Sequence, residues 1–94
     1  MSVHDLKIYP EFWEDIATGK KTFEVRKNDR DYQVGDLLLF RKFDPAKNNY
    51  VNFNEVMVCD VTYVVDLSKI GIEGYVGMQI KPRGILKEVG EEKT

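Results

Sequence analysis

The first nineteen residues show two hydrophobic periods, one after the other. Residues 4–9, HDLKIY, alternate in polarity, which predicts a β-strand with Leu6 and Ile8 facing inward. Pro10 predicts the first residue of a helix, because the N–H that proline lacks would have no partner there in any case. Gly19 predicts the end of that helix. The helix carries one apolar stripe at helical spacing: Phe12, Trp13, Ile16 and Ala17.

The rest of the chain has the pattern of β-strands separated by polar turns. Residues 37–40 are continuously apolar, which predicts burial on both faces of that strand. The irregular stretch 44–54 predicts a long hairpin loop or flap, and Pro82 predicts the end of the last strand. Four segments combine β-branched or aromatic residues with turn residues at their ends: 21–27, 37–43, 55–65 and 75–82.

Five strands and one early helix predict a mainly β (α+β) fold, a small, mainly antiparallel and partly closed barrel. Closure suits so short a chain because it removes exposed sheet edges without a second layer. We expect one domain over residues 1–94, with a core of about residues 4–82. Residues 83–94 are expected to form a C-terminal tail with a solvated acidic end.

The composition is that of an ordinary globular chain. It is 43% hydrophobic, and its single cysteine, Cys59, cannot form an internal disulfide. The sequence shows neither a signal-peptide pattern nor an apolar run of the roughly 18 residues that a membrane span needs. We therefore predict a cytoplasmic protein with no membrane partner.

The charge is small overall but uneven along the chain. A net charge of −2 argues against a protein that holds nucleic acid by bulk electrostatics. Residues 19–47, however, contain eight Lys and Arg against five acidic residues. This local excess is compatible with a single anion-binding surface.

The stretch 19–30, GKKTFEVRKNDR, carries the most unusual pattern. A period of two places Thr22, Glu24 and Arg26 on one face of a strand and Phe23 and Val25 on the other. The charged face is either an ordinary exposed sheet face or the floor of a site. Three uses remain open for Lys21 with Glu24 and Arg26: anion binding, acid–base or nucleophilic chemistry, and a structural ion-pair network.

This stretch resembles a known motif. Gly19, Lys21, Glu24 and Arg26 fit the pattern Gly-x-Lys-x-x-Glu-x-Arg of the ASCH domains, a PUA-like superfamily. VGDLLLF (34–40) and GYVGMQI (74–80) are similar to other strands of the same frame, so the resemblance covers about residues 4–81. It is strongest to a short stand-alone subfamily of bacteria and phages that is of unknown function.

The resemblance implies a PUA-like barrel with a cleft beside the motif that binds RNA or a nucleotide-like ligand. Lys21 and Arg26 would contact phosphate or polar base edges, and Glu24 would hold Lys21 and accept a donor from a base or ribose. Tyr32, together with Tyr50 and Phe53 of the long loop, would offer stacking faces. The predicted ligand-binding residues are Lys20, Lys21, Thr22, Glu24, Arg26, Lys27, Arg30 and Tyr32.

Two rival functions remain open. Some ASCH relatives are hydrolases, N4-acetylcytidine amidohydrolases or ribonucleases, and in that case Lys21 and Glu24 would be catalytic. The amidohydrolase group has a Thr where this chain has Glu24, and Glu73 is the nearest candidate in order for its later catalytic Glu. The second rival is a non-catalytic interaction module in which the motif only braces the barrel.

Three further residues are given structural interpretations. His4, the only histidine, is predicted to be a surface or capping residue, and the alternative is that it lines the site. Trp13 and Cys59 are predicted to pack in the core. No metal and no cofactor are predicted, because one histidine and one distant cysteine do not make a metal site. The sequence leaves any protein partner open.

Overall fold

The computed structural model describes residues 1–87, which form a mainly β structure with one α-helix. This confirms the predicted fold class. The short strand β4 lies inside the predicted hairpin loop, and a 3-10 helix, Leu67–Ile70, occupies the predicted turn before the last strand. The elements are β1 (Val3–Ile8), α1 (Pro10–Ala17), β2 (Phe23–Lys27), β3 (Leu37–Asp44), β4 (Asn49–Tyr50), β5 (Glu55–Asp66) and β6 (Tyr75–Lys87).

The strands form one sheet in the order β1-β3-β5-β6-β2, with β4 paired to the end of β3. Pairing is antiparallel except between β1 and β3, which are parallel. Within residues 1–87 no backbone ladder joins the two end strands, β1 and β2. The sheet is therefore open, whereas partial closure into a barrel was predicted. The motif faces the gap between β1 and β2.

Helix α1 packs on β3 and begins and ends as the sequence predicts. Pro10 is its first residue, and Gly19 adopts a φ of 83° just beyond its end, a conformation that glycine reaches without steric cost. Trp13 and Ile16 are buried in the core. This confirms the predicted core position of Trp13.

The core lies between α1 and one face of the sheet. Cys59 is fully buried there, as predicted. Leu38 and Phe40 are also fully buried, while Leu37 and Leu39 on the other face of β3 are half-buried. The continuous apolar run of β3 thus reflects its position inside the sheet, with β1 and β5 on either side.

The predicted end of the last strand at Pro82 is wrong. Strand β6 continues to Lys87 and stays paired with β5. Cys59 pairs with Pro82 and Val58 with Gly84, so Arg83 is an extra residue on β6, a β-bulge beside the proline. A bulge accommodates a residue without an N–H. The predicted acidic end, residues 88–94, lies outside the described residues.

Within residues 1–87 no helix is long and apolar enough to cross a membrane.

Candidate functional site

Strand β2 turns its charged face inward and its apolar face outward. Glu24 is buried, whereas Phe23 and Val25 are 57% and 50% exposed. The cause is the pairing with β6, which places Glu24 opposite Met78, a residue of the core. Residues directly opposite in an antiparallel pair lie on the same face, so Glu24 shares the inner face. Of the two alternatives left open, this burial rules out an ordinary exposed sheet face.

The three charged residues of the motif form one network around the Glu24 carboxylate. Lys21 Nζ lies 2.6 Å from Glu24 Oε1, and Arg26 Nε lies 2.6 Å from Glu24 Oε2. Lys21 Nζ also donates to the carbonyl oxygen of Phe23 at 2.6 Å. The two cationic side chains keep 14% and 24% of their surface exposed. The buried carboxylate is therefore doubly paired, while each cation still reaches solvent.

Arginine side chains bridge the gap that the sheet leaves between β1 and β2. Arg26 Nη2 donates to the carbonyl oxygen of Lys7 at 2.6 Å, and Arg30 Nη1 donates to the carbonyl oxygen of Asp5 at 3.2 Å. These contacts satisfy β1 carbonyl groups that would otherwise form an exposed sheet edge. Arg26 thus joins the motif strand to the first strand as well as to Glu24.

A cleft of about 660 Å³ opens between β1, α1 and β2. Four cationic side chains line it (Lys7, Lys21, Arg26 and Lys27), against one carboxylate, Glu24. Aromatic side chains form much of its remaining wall, and two of the four cations lie over their faces. Lys7 Nζ is 4.4 Å from the ring centre of Phe43, and Lys21 Nζ is 5.0 Å and 5.4 Å from those of Phe23 and Phe12.

A second hollow, of about 540 Å³, adjoins the cleft. Lys7 and Arg26 line both spaces. The second hollow is also lined by Asp5, Leu6, Arg30, Tyr50 and Phe53. The two predicted loop aromatics thus come close to the motif in space, although they follow it by more than twenty residues in sequence.

The predicted binding residues divide into three groups. Lys21, Glu24, Arg26 and Lys27 line the cleft, and Arg30 lines the second hollow. Lys20 and Thr22 are exposed and line neither space. Glu73, the nearest candidate for a later catalytic acid, is exposed in the turn before β6 and also lines neither.

Tyr32 and His4 differ from their predicted positions. Tyr32 is only 4% exposed and packs on the ring of His4 at a centroid distance of 4.7 Å. The prediction that Tyr32 offers an exposed stacking face is therefore wrong. Burial raises the pKa of the Tyr32 hydroxyl, although Arg26 and Arg30 oppose this. His4 is buried rather than on the surface, and its Nε2 lies 2.8 Å from Asp36 Oδ2.

Asp36 is the second buried carboxylate of the described chain. It accepts hydrogen bonds from the backbone N–H groups of Ser2 and Gln33, both at 2.9 Å, in addition to its contact with His4. Burial acts to raise the pKa of Asp36, but these hydrogen bonds outweigh it and hold that pKa below its usual range.

The Cys59 thiol is buried and unreactive. Burial, and after it the negative charges of Glu24 and Asp60, raise the pKa of its thiol to about 12. Among residues 1–87 no cluster of three or more His, Cys, Asp and Glu side chains has an arrangement suited to a metal ion.

Eight residues that line the cleft were not assigned to a site from the sequence, among them Lys7, Phe12 and Phe43. Lys7 and Phe43 come from β1 and β3, whose parallel pairing brings their ends together. Phe12 has a sequence signal, since it belongs to the apolar stripe of α1, but that stripe predicts core packing. The chain contains no local pattern that would have assigned Lys7 to a site.

The fold is similar to that of two solved structures, one of them an ASCH protein. The ASCH protein of Zymomonas mobilis, solved as a point mutant, is similar, with a TM-score of 0.61 and 15% identity over 90% of this chain and 75% of that one. A hypothetical protein, PH0355, has a TM-score of 0.56 and 21% identity over 87% of this chain and 99% of its own. At these identities the likeness concerns the fold alone.

Residues 3–80 match a family described as a domain of unknown function (DUF3850), and the chain belongs to that family. An uncharacterized 12.9 kDa protein in the GpA 3′ region of Escherichia phage P2 is 34% identical over 41 residues. That match covers 44% of this chain and 38% of the phage protein, so it spans well under half of that relative's length.

Proposed function

We propose that the cleft binds one nucleotide unit of single-stranded RNA, or a free nucleotide-sized ligand, with its phosphate at the cationic side chains. The observation that carries the proposal is the charge balance of the cleft. Four cationic side chains face it against a single carboxylate, and that carboxylate is already paired by two of them. An anion that enters therefore meets a net positive, partly desolvated surface.

Lys7 and Lys27 are the cations best placed to bind phosphate. Neither has a salt-bridge partner among the carboxylates of residues 1–87, whereas Lys21 and Arg26 are both engaged with Glu24. Arg26 uses its Nε and one terminal nitrogen, which leaves further N–H groups able to donate to a ligand oxygen. We assign Lys7 and Lys27 to direct phosphate contact, Arg26 to phosphate or polar base oxygens through its remaining N–H groups, and Lys21 to polar contacts at the cleft floor.

The aromatic wall gives the cleft a means of holding a base. Phe12, Phe23 and Phe43 line it, and Phe23 is more than half exposed. Unstacked bases bind to aromatic faces, and each such contact contributes about 1–3 kcal/mol by alanine substitution. A base inside a duplex cannot enter such a cleft, which favours single-stranded RNA over duplex. The fold likeness to an ASCH protein also supports this proposal.

We favour binding over the hydrolase alternative because of the position of Lys21. Its Nζ is engaged by two acceptors of the protein itself, the Glu24 carboxylate and the Phe23 carbonyl, both at 2.6 Å. A general base or nucleophile needs a free lone pair instead. The bracing role of the motif is compatible with binding, since Arg26 joins β2 to β1 and lines the cleft at once. A cytoplasmic location, where RNA is present, remains part of the proposal.

The test compares cleft lysines with a lysine elsewhere on the surface. Lys7→Ala and Lys27→Ala should each weaken binding of AMP and of a mixed-sequence six-nucleotide RNA, measured by calorimetry and fluorescence anisotropy. Each should also reduce the slope of log affinity against log salt by about 0.7, the value for one lost phosphate contact on a single strand. The melting temperature should stay nearly constant, because neither lysine is paired with Glu24.

Lys69→Ala is the matched control, since Lys69 is exposed on the 3-10 helix and lines neither space. It should leave binding unchanged. Equal weakening by all three variants, or no weakening by the two cleft variants, would contradict the proposal. Lys21→Ala and Arg26→Ala are poor tests, because either change leaves the buried Glu24 carboxylate with one partner fewer and lowers stability as well.

A further inference from the structure

The geometry points to a ligand of at least two consecutive nucleotides. One base would occupy the cleft, the linking phosphate would lie at Lys7 and Arg26, and the second base would pack against Tyr50 and Phe53 in the adjoining hollow. This inference rests on the proposed function and extends it, because it assigns the second hollow and makes the ligand an oligonucleotide rather than a free nucleotide.

The first observation is the position of the two cations that the spaces share. Lys7 and Arg26 line both the cleft and the second hollow, so they stand where the spaces meet. A phosphodiester that links two nucleotides carries its negative charge between its two bases. The shared cations are thus located where a dinucleotide that spanned both spaces would place its phosphate.

The second observation is a row of three aromatic rings that runs from one space to the other. Phe43 lines the cleft, and Tyr50 and Phe53 line the second hollow. The rings of Phe43 and Tyr50 are 5.4 Å apart, and those of Tyr50 and Phe53 are 5.0 Å apart, both edge to face. The row therefore offers apolar surface along the whole path, as proteins that bind single strands through stacked bases do.

The third observation is that the outer end of this row is held in place. Arg41 Nε donates to the carbonyl oxygen of Phe53 at 2.9 Å, and the guanidinium lies 4.4 Å from the Phe53 ring centre. The backbone N–H of Val51 donates to the carbonyl oxygen of Lys42 at 3.0 Å. The loop is thereby tied to β3, so binding would not have to order it.

The charge of the second hollow also fits a nucleic acid strand. Its cationic groups are Lys7, Arg26 and Arg30, and its one carboxylate is that of Asp5. Asp5 is paired with Arg41, which reduces its repulsion of a phosphate. Phe53 lies among these cationic groups and is 55% exposed, so its ring is available to a second base.

The experiment compares adenosine 5′-monophosphate with the 5′-phosphorylated dinucleotide pApA on the full chain. We expect pApA to bind at least tenfold more tightly. Phe53→Ala should weaken pApA by about fivefold to a hundredfold, the range for one lost stacking contact, and leave the mononucleotide unchanged. Val51→Ala is the matched control, because Val51 is exposed in the same loop but lines neither space.

Amide chemical shifts of the wild-type chain give a second measurement that needs no variant. The amide shifts of Arg30, Tyr50 and Phe53 should change when pApA is added and remain unchanged when the mononucleotide is added. Equal affinity for the two ligands, or equal weakening of both by Phe53→Ala, would overturn the second subsite while leaving the proposed function intact. If neither AMP nor pApA binds, both proposals are overturned.

Discussion

The two buried carboxylates, Glu24 and Asp36, are satisfied in opposite ways. Glu24 is held by two flexible cationic side chains, both of which border an open cleft. Asp36 is held by two backbone N–H groups and by His4, and its side chain is almost completely enclosed. Neither cluster leaves a buried polar side-chain atom without a partner in the described chain.

The difference separates a site from a structural element. Backbone donors are fixed by the fold, so Asp36 orders the chain around it: Ser2 before β1 and Gln33 before β3. Lysine and arginine partners can instead redirect their remaining donors to water or to a ligand. The same chemical need, the satisfaction of a buried negative charge, therefore produces a rigid clamp at Asp36 and an adaptable surface at Glu24.

The largest effect should come from removal of the rigid clamp. Asp36→Ala leaves His4 and two backbone N–H groups without their acceptor in a closed environment. We expect a loss of about 3 kcal/mol or more in the free energy of unfolding, measured by urea denaturation. Asp29→Ala, which removes an exposed aspartate, is the control and should change stability by no more than about 0.5 kcal/mol. Similar losses in both variants would refute the comparison.

Neutralisation of Glu24 should lower the free energy of unfolding by less than removal of the Asp36 carboxylate. Glu24→Gln keeps the side-chain volume but removes the charge, and Lys21 and Arg26 can then turn toward water in the cleft. We expect a loss of about 1–2 kcal/mol in the free energy of unfolding, smaller than for Asp36→Ala. Affinity for a six-nucleotide RNA should stay the same or rise, because the cleft becomes more positive. Loss of RNA binding in a stable variant would mean that Glu24 itself contacts the ligand.

Asp36 should also make stability depend on pH in acid. Because the folded-state pKa of Asp36 lies below its unfolded value of about 3.9, the stabilisation from its charge is fully present above that value. It is lost as pH falls through the folded-state pKa. The gap in unfolding free energy between the wild type and Asp36→Asn should therefore be constant above about pH 5 and shrink below about pH 4. A gap that does not depend on pH would contradict this assignment.

The local elements of this fold could be predicted from the sequence because their causes are local. Pro10 and Gly19 set the bounds of α1, and β-branched content marks β5. Arg83 shows the limit of such reasoning. Its bulge carries β6 past Pro82, and that depends on continued pairing with β5 more than twenty residues earlier.

The candidate site could be predicted only in part, for the same reason. The period of two indicates that Glu24 and Arg26 share a face, but the face that turns inward is set by Met78 on β6. Tyr32 lies in a polar stretch and is nevertheless buried, because His4 on β1 packs against it. Periodicity within a segment does not contain these contacts between distant segments.

The smallest effect concerns Cys59, which lies in the core close enough to Glu24 to respond to its charge. With the thiol fully buried and its pKa raised to about 12, labelling by a thiol reagent at pH 8 should require that the chain opens. We expect the labelling rate to follow the global free energy of unfolding, across the wild type, Asp36→Asn and Glu24→Gln. Labelling faster than global unfolding allows, seen in Glu24→Gln alone, would mean that the cleft side opens locally. The region around Glu24 would then be less stable than the region around Asp36, as expected for a carboxylate that is held by side chains rather than by the backbone.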